Sequence, residues 1–286
     1  MKIARTAEEL RTVLASFQGS RGFVATMGYL HEGHLSLMRA SVADNDHTVI
    51  SIFVNPLQFG PTEDFEAYPR DEERDLSLAE DAGVDLAFIP SLEEMYPQGA
   101  DTTVSVGRLA EVVEGAARPG HFDGVATVVT KLLNLVQPTK AYFGQKDAQQ
   151  VAVIRQIVRD LSLPVQIIVR DTVREPDGLA QSSRNAYLRN ADREKAPVLW
   201  RALRSGADEL VRSKHPALAE KQMRATVEAV AGIELDYARV VDPDTFEAVS
   251  DGSRALLVIA ARIGSTRLID NLLIGSSEES TGAAGR

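Results

Sequence analysis

"GFVATMGYLHEGHLSLM", Gly22 to Met38, is the stretch on which the architecture turns. A short apolar run, Gly22 to Thr26, ends in a glycine-flanked turn, and an amphipathic helical pattern begins at about Leu35. An apolar run that feeds a helix opens a β-α-β unit, and the alternation continues along the chain. Thr48 to Val54 ("TVISIFV"), Asp85 to Pro90 ("DLAFIP"), Lys140 to Gly144 ("KAYFG") and Val165 to Arg170 ("VQIIVR") read as further strands. Asp71 to Ala82, Val125 to Val136 and Ala148 to Leu161 read as helices between them. Strands spaced by helices pair in parallel, and continuous apolar runs suit burial on both faces. The pattern predicts an α/β fold, a Rossmann-like doubly wound parallel sheet, over residues 1–173.

The rhythm changes after Val173, where "REPDGLAQSSRN" is polar and carries a Pro-Asp-Gly turn signal. Two helical stretches, Asp192 to Lys214 and Ala217 to Ala231, precede strands at Ile233 to Val241, Arg254 to Ile263 and Thr266 to Ile274. Helices followed by strands predict a smaller α+β lid domain over 174–286. Its tail, from about residue 275, has too few apolar groups to offset ordering entropy and is expected to be mobile.

Composition narrows the function. Of 286 residues, 44% are hydrophobic, and 31 Lys+Arg stand against 41 Asp+Glu for a net charge of −10. That balance argues against a general nucleic-acid binder, which needs a basic face to displace counterions. With no cysteine, disulfides and thiolate metal sites are excluded. The N-terminus "MKIARTAEELRTVL" lacks the apolar core of a signal peptide, and no apolar run reaches membrane-spanning length. A soluble cytoplasmic protein with neither nucleic-acid nor membrane partners is expected.

Two of only five histidines, His31 and His34, fall together in "HEGH". They lie where a strand ends and a helix begins, the edge of an open α/β sheet at which ligands bind, and a helix N-terminus favours anions. Gly28 and Gly33 allow close approach to the backbone, and two imidazoles can bond phosphate oxygens. Read alone, the pair could also be one capping and one solvated histidine. As half of a zinc site it would need ligands from His47, His121, His215 or carboxylates, none at a familiar spacing. "FGQKDAQQ", Phe143 to Gln150, is a second strand end, with Lys146 suited to phosphate and Asp147 to ribose hydroxyls; alone, it is also an ordinary surface turn. "GLAQSSRNAYL", Gly178 to Leu188, brings two hydroxyls and a guanidinium into a turn-rich segment, a mobile anion clamp or a helix cap.

In this order, "TMGYLHEGH", "FVNPLQFG", "RPGHFDGVATVVTKLL", "FGQKDAQQ" and "DGLAQSSRN" resemble the successive signatures of the pantothenate synthetase (pantoate–β-alanine ligase) family, over about Met1 to Leu188. That family belongs to the nucleotidyltransferase superfamily with a His-x-Gly-His motif. The resemblance implies ATP-dependent joining of pantoate to β-alanine through a pantoyl adenylate, with Mg²⁺, release of pyrophosphate and AMP, and a homodimer. It implies that His34 is the catalytic histidine, a proton donor, with His31 beside it on the phosphates, and that Lys146 and Arg184 face phosphate. Met27, Gly28 and Gly33 would form the ATP segment, with Gln181, Ser182 and Ser183 in the clamp. Gly144 and Asp147 would hold ribose, and the Val173 backbone would meet adenine. Gln58, Gln150 and Asn55 would contact pantoate or β-alanine, supported by Glu114 and Arg118. The metal ligands are unassigned, and whether His34 transfers a proton or only stabilises charge stays open. The chain departs from the family at Ala25, usually Pro, at Tyr29, often a small residue or Asn, and at Gln181, usually Met. The rival readings are another nucleotidyltransferase with the same motif and a nucleotide-binding module without turnover. The acidic balance speaks against a tRNA-dependent relative, and retention of His34, Lys146 and Arg184 against the module.

Overall fold

The computed structural model describes residues 1–61 and 63–275, so the tail expected to be mobile lies outside the described residues. Two compact units are present: Met1–Arg174 with Gln181–Ser183, and Glu175–Ala180 with the chain from Arg184 onward.

The first unit is built on strands β1 (Lys2–Ala4), β2 (Arg21–Thr26), β3 (His47–Ile52), β4 (Leu86–Phe88), β5 (Lys140–Gly144) and β6 (Gln166–Arg170). They form one sheet in the order β1-β4-β3-β2-β5-β6, every pair parallel. Its helices are α1 (Ala7–Leu14), α2 (Glu32–Asp44), α3 (Glu72–Asp81), the short α4 (Leu92–Met95) and α5 (Glu114–Ala117), α6 (His121–Val136) and α7 (Ala148–Asp160). The chain steps from β2 through β3 to β4 in one direction, then returns to lay β5 on the other side of β2. Parallel crossovers are right-handed, so this reversal sends the helices to opposite faces. Leu37 and Met38 of α2 and Ala79 of α3 pack with Val24, Ile50, Ala87 and Tyr142, whereas α6 packs with α1, α7 and β2. The chain direction switches between β2 and β5, and the loops that leave their carboxyl ends flank the crevice where such sheets bind ligands.

Several boundaries differ from the sequence pattern. β1, three residues on the sheet edge, is too short to show a period. α2 begins at Glu32 rather than Leu35 because His31 itself caps it, so "HEGH" is the first helical turn and not a loop before it. α6 begins at His121 rather than Val125, directly after Gly120 in the left-handed conformation (φ 81°). Gln181–Ser183, expected with the second domain, belong to the first unit.

In the second unit the helix expected over Asp192 to Lys214 is two, α8 (Ala191–Lys195) and α9 (Val198–Ser213), with Pro197 at the break. Proline has no N–H to continue the helical ladder. α10 (Pro216–Glu228) follows, then β7 (Ile233–Val241), β8 (Ala255–Ile263) and β9 (Thr266–Ile274), an antiparallel sheet in chain order. Leu203 and Leu210 of α9 and Met223 of α10 share a core with Leu257 and Ile259, the α+β arrangement expected. Among the described residues no helix is long and apolar enough to cross a membrane.

Candidate active site

The loop that leaves β2 is shaped by two consecutive left-handed residues, Gly28 (φ 82°) and Tyr29 (φ 50°). The turn presents the N–H groups of Tyr29 and Leu30 to one carboxylate, Asp75 of α3, at 2.6 Å to Oδ2 and 2.7 Å to Oδ1. Asp75 is 1% exposed. Burial raises its pKa above the ordinary carboxylate value, even though both N–H bonds favour the charged form. A Cβ on Gly28 would lie 2.9 Å from Asp75 Oδ2 and 3.0 Å from Ile52 Cγ2, so the chain's own packing demands glycine there.

His31 follows as the N-cap of α2. Its Nδ1 accepts the Gly33 N–H at 3.1 Å, and His34 Nδ1 accepts the His31 N–H at 3.3 Å, a reciprocal capping box made of two imidazoles. The rings lie 4.0 Å apart, tilted by 37°. A Cβ on Gly33 would come within 2.8 Å of His31 Cε1, so this glycine makes room for the ring itself. Burial, helped by the Lys146 charge, pushes His31 down to about 4. Burial, helped by His31, pushes His34 down to about 3. Both rings are therefore neutral at neutral pH. A ring nitrogen that accepts from a backbone N–H carries no proton, so each ring holds its hydrogen on Nε2. The pair offers two neutral N–H donors.

These shifts carry a stability consequence. The folded pKa values lie below the unfolded value of about 6.5, so the unfolded chain takes up protons first as pH falls. The stabilisation is complete above about pH 6.5 and is lost as pH falls towards the folded values of about 4 and 3. The melting temperature should thus decline from pH 7 to pH 5, with a shallower slope in His34→Asn. Parallel slopes in a calorimetric pH series would show that His34 is not held neutral.

Gln181 and Ser183 reach the same loop. Gln181 Oε1 accepts the Gly33 N–H at 3.3 Å, and Ser183 Oγ donates to the Tyr29 carbonyl at 3.3 Å. The Gln181 N–H bonds the Val173 carbonyl at 2.9 Å, which ties "QSS" to the end of the sheet. Ser182 lies between them; Arg184, in the short 3₁₀ helix Ser183–Tyr187, belongs to the second unit.

Beyond β5, Gly144 leads into a short turn, Gln145–Asp147, and then α7. A Cβ on Gly144 would meet nothing within 4 Å, so the strand end is open. Lys146 Nζ is 3.3 Å from Asp147 Oδ1, and its charge is felt by both imidazoles. The neighbouring glutamines divide their tasks. Gln149 is buried and bonds the backbone of Leu109, Val112 and Glu114, whereas Gln150 is partly exposed.

The short helix Pro56–Gln58 after β3 supplies the next group. Gln58 Nε2 contacts Met27 Sδ at 3.1 Å, and Gln58 Oε1 accepts from Asn55 Nδ2 at 3.1 Å. Asn55 also donates to the Gly124 carbonyl at 3.1 Å and accepts from Tyr96 Oη at 2.9 Å and the Leu57 N–H at 3.3 Å. Both N–H bonds and both lone pairs of its amide are thereby used within the protein, so Asn55 orients Gln58. From the other side, Arg118 Nη2 (3.2 Å) and His121 Nδ1 (2.8 Å) both donate to the Gln58 carbonyl. Arg118 pairs with Glu63 through two 2.6 Å contacts, while Glu114 stands at 3.7 Å. Burial opposes the Glu63 charge, but the Arg118 pair prevails and brings its pKa to about 2. Burial, then the Arg118 charge, lower His121 to about 4, so it too is neutral, with Nε2 accepting from Arg118 Nη1 at 3.0 Å.

The structure thus gathers Met27, Gly28, His31, Gly33, His34, Gln181 and Ser183 at one loop and joins Met27 to Gln58 and Asn55. Sequence reading missed Asp75, Glu63 and Tyr96, and it weighed His121 only as a zinc ligand, whereas the structure sets it on the Gln58 backbone carbonyl. For Asp75 a signal existed, since it shares the buried face of α3 with Ala79, one turn on. The others act through contacts made far along the chain.

The donors collected here are imidazole N–H groups and an ammonium, and among the described residues no group of three or more His, Asp or Glu could hold a metal ion. Mg²⁺ takes oxygen ligands. The residues present do not fit a protein-only Mg²⁺ cage.

The family model described as pantoate–β-alanine ligase matches residues 2–273. A pantothenate synthetase of Roseiflexus sp. (strain RS-1) is 53% identical over 276 residues, 96% of this chain and 99% of that protein. One from Chloroflexus aurantiacus is 54% identical over 282 residues, covering 96% and 98%. The crystal structure of pantothenate synthetase from Thermus thermophilus superposes with a TM-score of 0.92 at 49% identity, over 96% of this chain and 100% of that one. A pantoate–β-alanine ligase from Francisella tularensis, solved with a β,γ-ATP compound and β-alanine, gives 0.79 at 35% identity, over 96% and 97%. Nearly end to end, in sequence and in fold, the chain belongs to the pantoate–β-alanine ligase family.

Proposed function

We infer that this protein condenses pantoate with β-alanine at the expense of ATP, through a pantoyl adenylate. The observation that carries the reading is the pair of imidazoles locked as neutral Nε2–H donors beside Lys146, at the switch point of the sheet. A carboxylate is a poor acyl donor because its oxygen leaves badly. In the first step a pantoate carboxylate oxygen bonds to the α-phosphorus of ATP as the bond to the β-phosphate bridge breaks, and pyrophosphate departs with the electron pair. In the second, the amine of β-alanine attacks the acyl carbon, AMP leaves, and the amine proton passes to solvent. Neither step needs a proton given to the pantoate carboxylate. Both benefit from fixed donors where phosphate charge develops, with positioning second.

His31 and His34 act as hydrogen-bond donors to phosphate, with Lys146 and Arg184 as the cations. Ser182 and Ser183 add hydroxyls, Gly144 and Asp147 take ribose, and the Val173 backbone meets adenine. Met27, Gly28, Gly33 and Gln181 shape the ATP segment. Gln58 and Gln150 bind the small substrates, with Asn55 as the support of Gln58. Mg²⁺ would enter on the phosphates of ATP, neutralising their charge. A homodimer, which rests on the family resemblance, and a cytoplasmic location, which rests on the N-terminal sequence lacking a signal-peptide core, complete the proposal.

The test is isotope exchange. With ATP, Mg²⁺ and pantoate present and β-alanine absent, labelled pyrophosphate should enter ATP, because pyrophosphate can re-attack only a bound adenylate. Omitting pantoate should abolish the exchange. Formation of ADP and phosphate, or exchange indifferent to pantoate, would overturn the mechanism.

A further inference from the structure

We propose that Asp75, which lies outside every motif quoted above, is a positioning residue for adenylation: its carboxylate occupies the amide nest of Tyr29 and Leu30 and so holds His31 and His34 in register for the phosphates of ATP. The inference rests on the ligase reading of the site.

Successive N–H groups turned to one side make an anion-binding concavity. In many nucleotide sites a ligand phosphate fills such a nest; here a side chain of the same protein does, through charge-assisted bonds of 2.6 and 2.7 Å. The loop needs an external hold. A left-handed residue with a Cβ is disfavoured by its clash with the following carbonyl, and Tyr29 is such a residue, at φ 50°. Asp75 secures the N–H of Tyr29 and of its neighbour Leu30, while Arg74 stands 3.7 Å from the carboxylate and over the Tyr29 ring at 5.4 Å. His31 comes next in the chain. Its backbone N–H is the donor to His34 Nδ1, and its ring caps Gly33, so the path of the backbone into His31 sets both imidazoles at once. A shift of that path would leave the donors present and misplaced, a fault that catalysis feels more than folding does.

The experiment compares Asp75→Asn, Asp75→Glu and the double variant Asp75→Asn/Tyr29→Gly with the parent chain. Asparagine keeps the shape of the side chain but turns an NH₂ towards one of the two backbone donors. Folded Asp75→Asn should lower the maximal rate of pantoate-dependent pyrophosphate exchange by about 10- to 100-fold, the scale of a misplaced catalytic group. The KM for β-alanine in the full reaction should stay unchanged. Amide hydrogen exchange at Tyr29 and Leu30 should accelerate, while β2 and the interior of α2 remain protected. Because glycine adopts the left-handed conformation freely, Tyr29→Gly should restore part of the lost rate. A purely structural Asp75 would give no such rescue.

If Asp75→Asn fails to fold, Asp75→Glu, which keeps the charge and displaces it by one methylene, should show the same pattern. Parent-like exchange rates in a folded variant, or a loss with unchanged loop protection and no rescue by Tyr29→Gly, would overturn the proposal. Failure of the ligase reading would look different: the parent would then show no pantoate-dependent exchange, while the amide measurement would still report whether Asp75 clamps the loop.

Discussion

Purified, folded His34→Ala should turn over about 10²-fold more slowly or worse, the cost of removing one preorganised donor from a site where charge develops. The fall should sit mainly in kcat, with a smaller change in the KM for ATP. The structure gives the reason. His34 is held by the His31 N–H and the neighbouring ring, and burial keeps it uncharged, with its proton on Nε2. On the proposed mechanism such a neutral group would act as a dipole fixed in place before the phosphate charge moves, with no reorganisation required when the charge arrives. The pH profile separates the two roles. A neutral donor predicts a kcat that does not rise as pH falls from 8 to 6, whereas an imidazolium proton donor would make it rise. Turnover like that of the parent in His34→Ala would remove this residue from the mechanism.

Lys146→Ala should be equally damaging, because the only ammonium in "FGQKDAQQ" is lost from the end of β5. It has a second, independent readout. The Lys146 charge is among the causes that lower both histidines, after burial for His31 and after burial and His31 itself for His34. Removing it should therefore raise both ring pKa values part of the way towards about 6.5, visible in an NMR titration of the imidazoles. Lys140 provides the control. It stands at the other end of β5, where its ammonium lies 3.5 Å from the exposed Asp44 carbonyl, and Lys140→Ala should leave turnover nearly unchanged. Equal losses at the two lysines would indicate general destabilisation, and unshifted histidines in Lys146→Ala would place its charge away from them.

The alternation of apolar runs and helical periods in the first 170 residues is enough to infer a parallel α/β sheet, because those periods are local properties of the chain. Strand ends at Thr26 and Gly144 mark the two loops of the candidate site for the same reason, and "HEGH" and "FGQKDAQQ" supply its two imidazoles and one ammonium without any coordinates. Local pattern also misleads where a side chain replaces the usual signal. His31 is not an ordinary N-cap residue, and α2 consequently starts three residues before its amphipathic period shows; Pro197 divides a helix whose apolar period runs on through it. What tertiary structure alone settles is which distant group completes each local one. Asp75 meets Tyr29 across 46 residues, Tyr96 meets Asn55 across 41, and Arg118 meets Glu63 across 55. The protonation of the histidines belongs to the same class, since desolvation depends on what packs around a ring and not on its neighbours in the chain. A sequence lists donors and acceptors; only folding decides which of them are consumed by one another, as at Asn55, and which ring nitrogen of His31 and His34 is taken by the backbone, leaving Nε2–H for the proposed contact with ATP.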